Sequence, residues 1–163
     1  MSRLRRRGPD DSGTWCGNQV RLGHRRLAIL DLSATGHQPM VASDGRYVIV
    51  FNGEIFNHQE LRPQLTPRGG WRGTSDTETL LEAYRRWGTA CVSRLNGMFA
   101  FAIWDNLERR LFLARDRMGV KPLYYSWANG RYAIFGEVSY NASLNDGSDS
   151  RSYKGTGGFR AAW

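Results

Sequence analysis

The sequence predicts an α+β domain, with helices gathered in the middle of the chain and strands on both sides of them. Three stretches carry that expectation. Val48-Ile49-Val50-Phe51 is an apolar run that ends abruptly in the polar Asn52-Gly53-Glu54. Ser75 to Trp87 is an amphipathic helical pattern with a start and a stop of its own. Met98 to Trp104 is a nearly unbroken apolar run. At 163 residues, 40% hydrophobic and 12% aromatic, the chain suits one domain with a sizeable core.

Val20 to Leu30 has strand composition with arginines interleaved. Tyr47 to Phe51 reads as a buried strand that delivers Asn52-Gly53-Glu54 to its end. Asn-Gly is also a strong hairpin signal, so on these residues alone a turn and a polar cluster both stand open. Asn57 to Arg62 opens like a helix, and Pro63 cuts it short because proline lacks an amide donor. Pro67-Arg68-Gly69-Gly70 is a loop. Ser75 starts the main helix in a capping-box pattern with Glu78, each side chain satisfying a free N–H. Leu80, Ala83, Tyr84 and Trp87 share one helical face, and Gly88 is a natural stop. Ala90 to Leu95 suggests a second short helix. Met98 to Trp104 reads as a strand covered on both faces. Asp105-Asn106 turns the chain into a strand from Arg110 to Ala114. Leu123 to Trp127 and Arg131 to Phe135 flank Asn129-Gly130 as a hairpin.

The formal charge is +8, from 23 Lys+Arg against 15 Asp+Glu. The arginines are scattered apart from Arg5-Arg6-Arg7 and Arg25-Arg26, and no zinc-finger, recognition-helix or aromatic-basic motif accompanies them. A nucleic-acid partner is therefore not expected. No apolar run is long enough to span a membrane, and the basic start is not followed by an apolar segment, so no membrane partner is expected and a cytoplasmic location is the default. The two cysteines, Cys16 and Cys91, are too few for a disulfide framework or a zinc site, and both read as small buried residues.

An ordered series of motifs says more. Arg7-Gly8-Pro9-Asp10 is followed by Gly23-His24-Arg25-Arg26-Leu27 and Gly36-His37-Gln38-Pro39. Then come Asn52-Gly53-Glu54, Ser75-Asp76-Thr77-Glu78, Asn96-Gly97-Met98-Phe99, and Arg115-Asp116-Arg117-Met118-Gly119. From about Leu4 to Glu137 this series resembles the class II glutamine amidotransferase domain of glutamine-hydrolysing asparagine synthetases. The resemblance implies a four-layer N-terminal-nucleophile hydrolase fold, two packed antiparallel sheets between helical layers, here incomplete. It implies a reaction in which an N-terminal cysteine attacks the side-chain amide of L-glutamine, releasing ammonia for ATP-dependent amidation of aspartate to asparagine.

The resemblance also assigns roles. Arg26 would pair with the glutamine α-carboxylate, a task that suits a planar guanidinium fork. Asn52 and Gly53 would donate to the oxyanion. Glu54 and Asp76 would accept from the α-ammonium; Asp76 also falls in the first turn of its helix, where the dipole favours a carboxylate anyway. Arg7, Asp10, Arg115 and Asp116 match motif positions expected to be structural ion pairs. No metal or cofactor is expected in this domain: ATP and magnesium belong to the synthetase domain, its partner in the longer family proteins.

The family's nucleophile is expected to be absent. Met1-Ser2-Arg3 reaches Arg7-Gly8-Pro9-Asp10 almost at once, without the Met-Cys-Gly start and the strand and helix that follow it. Cys16-Gly17 comes after the motif, on an expected strand, with no free amine. The alternatives for this chain are thus an inactive glutamine-binding pseudoenzyme or a gene fragment. Residues 1–138 are assigned to the partial domain. Residues 139–163, polar and aperiodic, are expected to be a disordered tail of the kind a frameshift would leave.

Overall fold

A computed structural model describes residues 8–27, 33–128, 131–135 and 159–162. The elements are β1 (Asp11–Cys16), β2 (Arg21–Arg26), β3 (Met40–Val41), β4 (Tyr47–Ile55), α1 (His58–Leu61), α2 (Asp76–Trp87), β5 (Gly97–Asp105), β6 (Arg110–Arg115), β7 (Tyr124–Ala128), β8 (Arg131–Phe135) and β9 (Phe159–Ala162). They build one antiparallel sheet in the order β1-β2-β9-β8-β7 and another in the order β3-β4-β5-β6. The α+β expectation holds.

Side-chain alternation along β4 and β5 stacks the layers. Ile49, Phe51, Ile55, Phe101 and Ile103 face Leu80, Leu81 and Ala83 of α2. Val48, Val50, Ala100, Ala102 and Trp104 turn the other way, onto Val20 just before β2, Leu22 of β2 and Ile134 of β8. Among the described residues this gives a helical layer, a sheet and a second sheet.

Most elements lie where the sequence puts them. Ser75 caps α2, its Oγ accepting from the Glu78 N–H at 3.2 Å. The other half of the capping box is replaced: the Glu78 carboxylate accepts from the N–H groups of Arg72 and Gly73 at 2.9 and 3.0 Å, pinning the loop before the helix. Gly88 ends α2 at φ 57°, in the left-handed region glycine favours. The segment expected as a second helix is 3-10, Gly88–Arg94, and α1 gives way to a 3-10 turn at Arg62–Gln64.

One open choice is settled and two expectations are corrected. Of the two readings that stood open at Asn52-Gly53, the hairpin turn is excluded: β4 runs straight through it, with Asn52, Gly53 and Glu54 paired to Ala100, Phe99 and Met98. The full length of β5 across that segment outweighs the local turn preference. The first correction is Cys16, which is exposed, because β1 is an edge strand whose alternation turns Trp15 inward and Cys16 out; Cys91 is buried as expected. The second concerns the tail. Phe159–Ala162 form β9, which pairs with both β2 and β8 in the interior of the sheet, where two open edges offer a strand a full set of backbone partners. Residues 139–158, like Arg7 and the Asn129-Gly130 turn, lie outside the described residues. No helix among the described residues is long and apolar enough to cross a membrane.

Candidate functional site

The C-terminal half of β4 is covered on one edge only. β5 pairs with the whole strand, whereas β3 pairs only with Val48 and Ile49. The antiparallel ladder directs the N–H groups of Phe51, Gly53 and Ile55 alternately away from β5, onto the uncovered edge. Side chains take the place of a strand there. The Phe51 N–H donates to Gln38 Oε1 at 2.7 Å, and the Ile55 N–H donates to Asp76 Oδ2 at 3.0 Å. The Gly53 N–H lies between them. Gly53 has φ 143°, and a Cβ there would run into the Met98 carbonyl and the Phe99 Cα. Only glycine fits this backbone.

Asp76, the first residue of α2, is 5% exposed. Burial pushes its carboxyl up to about 6; the backbone N–H groups of Ile55 and Thr77 pull the other way, and the charge of Glu54 adds to the rise. Two carboxylates thus face one region, and no cationic side chain is among the described groups acting on Asp76. Such a pair is complementary to an ammonium ion, which relieves the repulsion and offsets the desolvation together.

Arg26 ends β2 beside the loop that precedes β3. Its Nη1 donates to the Ser33 carbonyl at 3.0 Å, and its guanidinium lies so close to Gly36 that any Cβ there would strike it. The loop is further held by His37, whose Nδ1 sits 2.6 Å from Asp11 Oδ2. Burial would raise the Asp11 carboxyl, but the hydrogen bonds from His37 and from the Ser12 N–H outweigh it and lower it. Two buried residues join these parts. Gln38 Nε2 donates to Thr77 Oγ1 at 3.3 Å, and the His24 ring bonds the Phe51 carbonyl. His24 and Gln38 are each 5% exposed, and burial drives His24 down to about 4, so it is neutral at ordinary pH.

Of the residues singled out from sequence, Asn52, Gly53 and Glu54 lie on β4, Asp76 at the start of α2 meets that strand through the Ile55 N–H, and Arg26 ends β2. Asn52 and Glu54 alternate with Phe51 and Ile55, on the face of β4 that Val48 and Val50 turn toward the β2 sheet. His24, Gln38 and Thr77 had been given no role, although each lies inside a motif. The signal in the sequence was adjacency to Arg26, Pro39 and Asp76. Among the described residues Asp116 makes no ion pair: it accepts from the N–H groups of Val120 and Lys121 at 2.8 and 2.9 Å and of Phe99 at 3.2 Å. These bonds overcome the effect of burial and lower its carboxyl. Neither cysteine belongs to the site. Cys16 is at the far end of β1, paired with Arg21, while the other end, Asp11, pairs with Arg26. Cys91 is buried with its thiol pushed up to about 12.

The glutamine amidotransferase domain family matches residues 1–149. The chain belongs to this family. Across 138 residues, 83% of the chain, it is 47% identical to asparagine synthetase [glutamine-hydrolyzing] 3 of Bacillus subtilis, covering 22% of that protein. A putative asparagine synthetase [glutamine-hydrolyzing] of Mycobacterium tuberculosis is 44% identical over 82% of the chain, and amidase chyE of Penicillium rubens 40% over 81%. The chain spans about a fifth of the length of these curated relatives. Among its described residues the glutamine amidotransferase domain holds no group of three His, Cys, Asp or Glu side chains placed to bind a metal.

Proposed function

We propose that this chain carries the glutamine-recognition and oxyanion-stabilising half of a class II glutaminase site, on a four-layer N-terminal-nucleophile fold of which three layers are described. The observation that supports it best is the edge of β4. The Gly53 N–H stands between two N–H groups already held by Gln38 and Asp76, beside the buried carboxylate of Asp76 and the half-buried one of Glu54, with no described cation acting on Asp76. Glutamine is bound with its α-ammonium between Glu54 and Asp76 and its α-carboxylate on Arg26. Its side-chain carbonyl then lies at Asn52 Nδ2 and the Gly53 N–H. These two donors become more valuable as that oxygen gains charge during attack on the amide carbon, which is how an oxyanion hole accelerates acyl transfer. In the longer protein the ammonia released serves ATP-dependent amidation of aspartate to asparagine, with ATP and magnesium held by the synthetase part.

A second reading is favoured by the cysteines. Cys16 is remote from the carbonyl donors and Cys91 is held as a thiol, so this chain by itself binds glutamine without hydrolysing it. Calorimetry with L-glutamine, paired with an ammonia-release assay on the same sample, tests both. Binding without ammonia is expected. Ammonia release that a Cys16→Ser variant abolishes would overturn the second reading. Failure of a folded sample to bind glutamine would overturn the first.

A further inference from the structure

We propose that Gln38 and His24 are positioning residues that hold both backbone groups of Phe51 and so fix where Asn52 and Gly53 present their donors; this rests on the glutamine-binding reading above.

The register explains the need. Met40 pairs with Ile49 and Val41 with Val48, so continued pairing would set Pro39 against Val50 and Gln38 against Phe51. The Gln38 carbonyl is turned instead toward Gly13, approaching so closely that a Cβ on Gly13 would meet it. At the point where a backbone acceptor is lost, the Gln38 side chain supplies one to the Phe51 N–H at 2.7 Å. From the other side the His24 ring holds the Phe51 carbonyl. Its Nδ1 is buried without a hydrogen-bond partner among the described residues.

This arrangement has a consequence that a continuing strand lacks. Another strand residue on this edge would consume the Gly53 N–H, whereas a bare edge would leave Phe51 to shift and carry Asn52 with it. A side-chain amide satisfies Phe51 and stops. Gln38 Nε2 also reaches Thr77 Oγ1, next to Asp76. One buried hydrogen-bonded frame thus ties the groups that meet the glutamine side-chain carbonyl to the carboxylate that meets its α-ammonium.

The test separates these two ends of the ligand. The full chain and its variants are titrated by calorimetry with L-glutamine and with L-norvaline, which has the same head group and no side-chain carbonyl. The wild type is expected to prefer glutamine. Gln38→Ala and His24→Ala are each expected to weaken glutamine roughly tenfold, the worth of one well-placed hydrogen bond, while norvaline changes less than about twofold. His24→Gln, whose Nε2–H can still reach the Phe51 carbonyl, is expected to recover most of the loss. The 15N-edited amide signal of Gly53 should shift in both alanine variants without ligand and return in His24→Gln. Equal weakening of both ligands, undiminished glutamine preference in the alanine variants, or loss of the fold in both would overturn the proposal. A folded wild type that binds neither ligand would instead sink the glutamine-binding reading on which it rests.

Discussion

Two buried carboxylates at opposite ends of the β4–β5 pair are treated in opposite ways. Asp105 ends β5 across from Tyr47. It accepts from Arg46 Nε and Nη2, at 3.1 and 2.7 Å, and from the N–H groups of Leu107 and Glu108 in the following turn. Burial would raise its carboxyl, but these donors win and lower it. Asp76 meets β4 at the other end, through Ile55. It is equally buried, yet its described surroundings are three backbone N–H groups, those of Ile55, Thr77 and its own, and the repelling charge of Glu54, and its carboxyl rises to about 6. Asp105 is supplied with everything an ionised carboxylate needs and closes a hairpin. Asp76 has no counter-charge among the described residues, as expected of a group whose partner arrives as a ligand.

Neutralising each in turn should expose that difference most sharply. Asp76→Asn is expected to weaken glutamine binding at least about 100-fold, because it removes one partner of a desolvated charge pair. It should also stabilise the free protein at pH 7 by roughly 1–2 kcal/mol, since ionising a group whose folded pKa exceeds its unfolded one costs stability. Asp105→Asn should do the reverse, costing about 2–3 kcal/mol in urea unfolding and leaving glutamine affinity within about twofold. Calorimetry and denaturation on both variants check this. An Asp76→Asn protein that loses stability and keeps its affinity would make Asp76 a structural residue like Asp105.

The backbone of the two ends differs as well. At the Asp105 end the turns are local, and the left-handed residues, Gly45 at φ 72° and Arg109 at φ 54°, lie outside the paired strands. At the Asp76 end Gly53 takes φ 143° inside a paired strand, with no room for a Cβ. Gly53→Ala is therefore expected to cost roughly 2–4 kcal/mol, from strain and from displacement of the Met98 strand backbone. Thermal unfolding checks it. A loss below about 0.5 kcal/mol would mean that β4 can relax there, and the donor geometry would be less fixed than the close contacts imply.

The sequence was most legible where one strong local signal met matching tertiary demand. The period of Leu80, Ala83, Tyr84 and Trp87, the Ser75 cap and the Gly88 stop delimit α2 to within a residue, because each acts within a turn or two. The run from Met98 to Trp104 announced β5 because both faces of that strand are covered. Asn52-Gly53 stayed open between a turn and a polar cluster because its partners on β5 are distant in sequence. Strand β1 was legible only at Cys16 and without bounds, since an edge strand reading Asp-Ser-Gly-Thr-Trp-Cys buries only part of every second residue. Residue types suited to binding were visible in Arg26, Glu54 and Asp76. What places them was not: Gln38 and His24 work through hydrogen bonds to the backbone of Phe51, and a backbone partner leaves no complementary residue type in the sequence.

The last difference between the two carboxylates is where each titrates. Ionised Asp76 is the form that attracts an ammonium ion, and the ammonium and carboxylate of glutamine keep their charges between pH 5 and 7. With Asp76 at about 6 in the free protein, glutamine affinity should be near its plateau at pH 7 and about tenfold lower at pH 5, where roughly one molecule in ten carries the charge. The stability of the free protein should run the other way. The folded-state pKa lies above the unfolded one, so the Asp76 contribution is most favourable below about pH 4 and is lost as pH rises through 6. Asp105, lowered in the fold, contributes stability above the ordinary carboxylate range that is lost as pH falls through its depressed value. His58 also titrates near the site, with burial and Arg62 pushing it down and Glu54 opposing them. Asp76→Asn separates the two: titrations from pH 5 to 7 should lose their slope in that variant if Asp76 is responsible. A slope that survives the substitution would move the pH dependence to another group and remove the strongest reason for treating the two ends of β4 as different in kind.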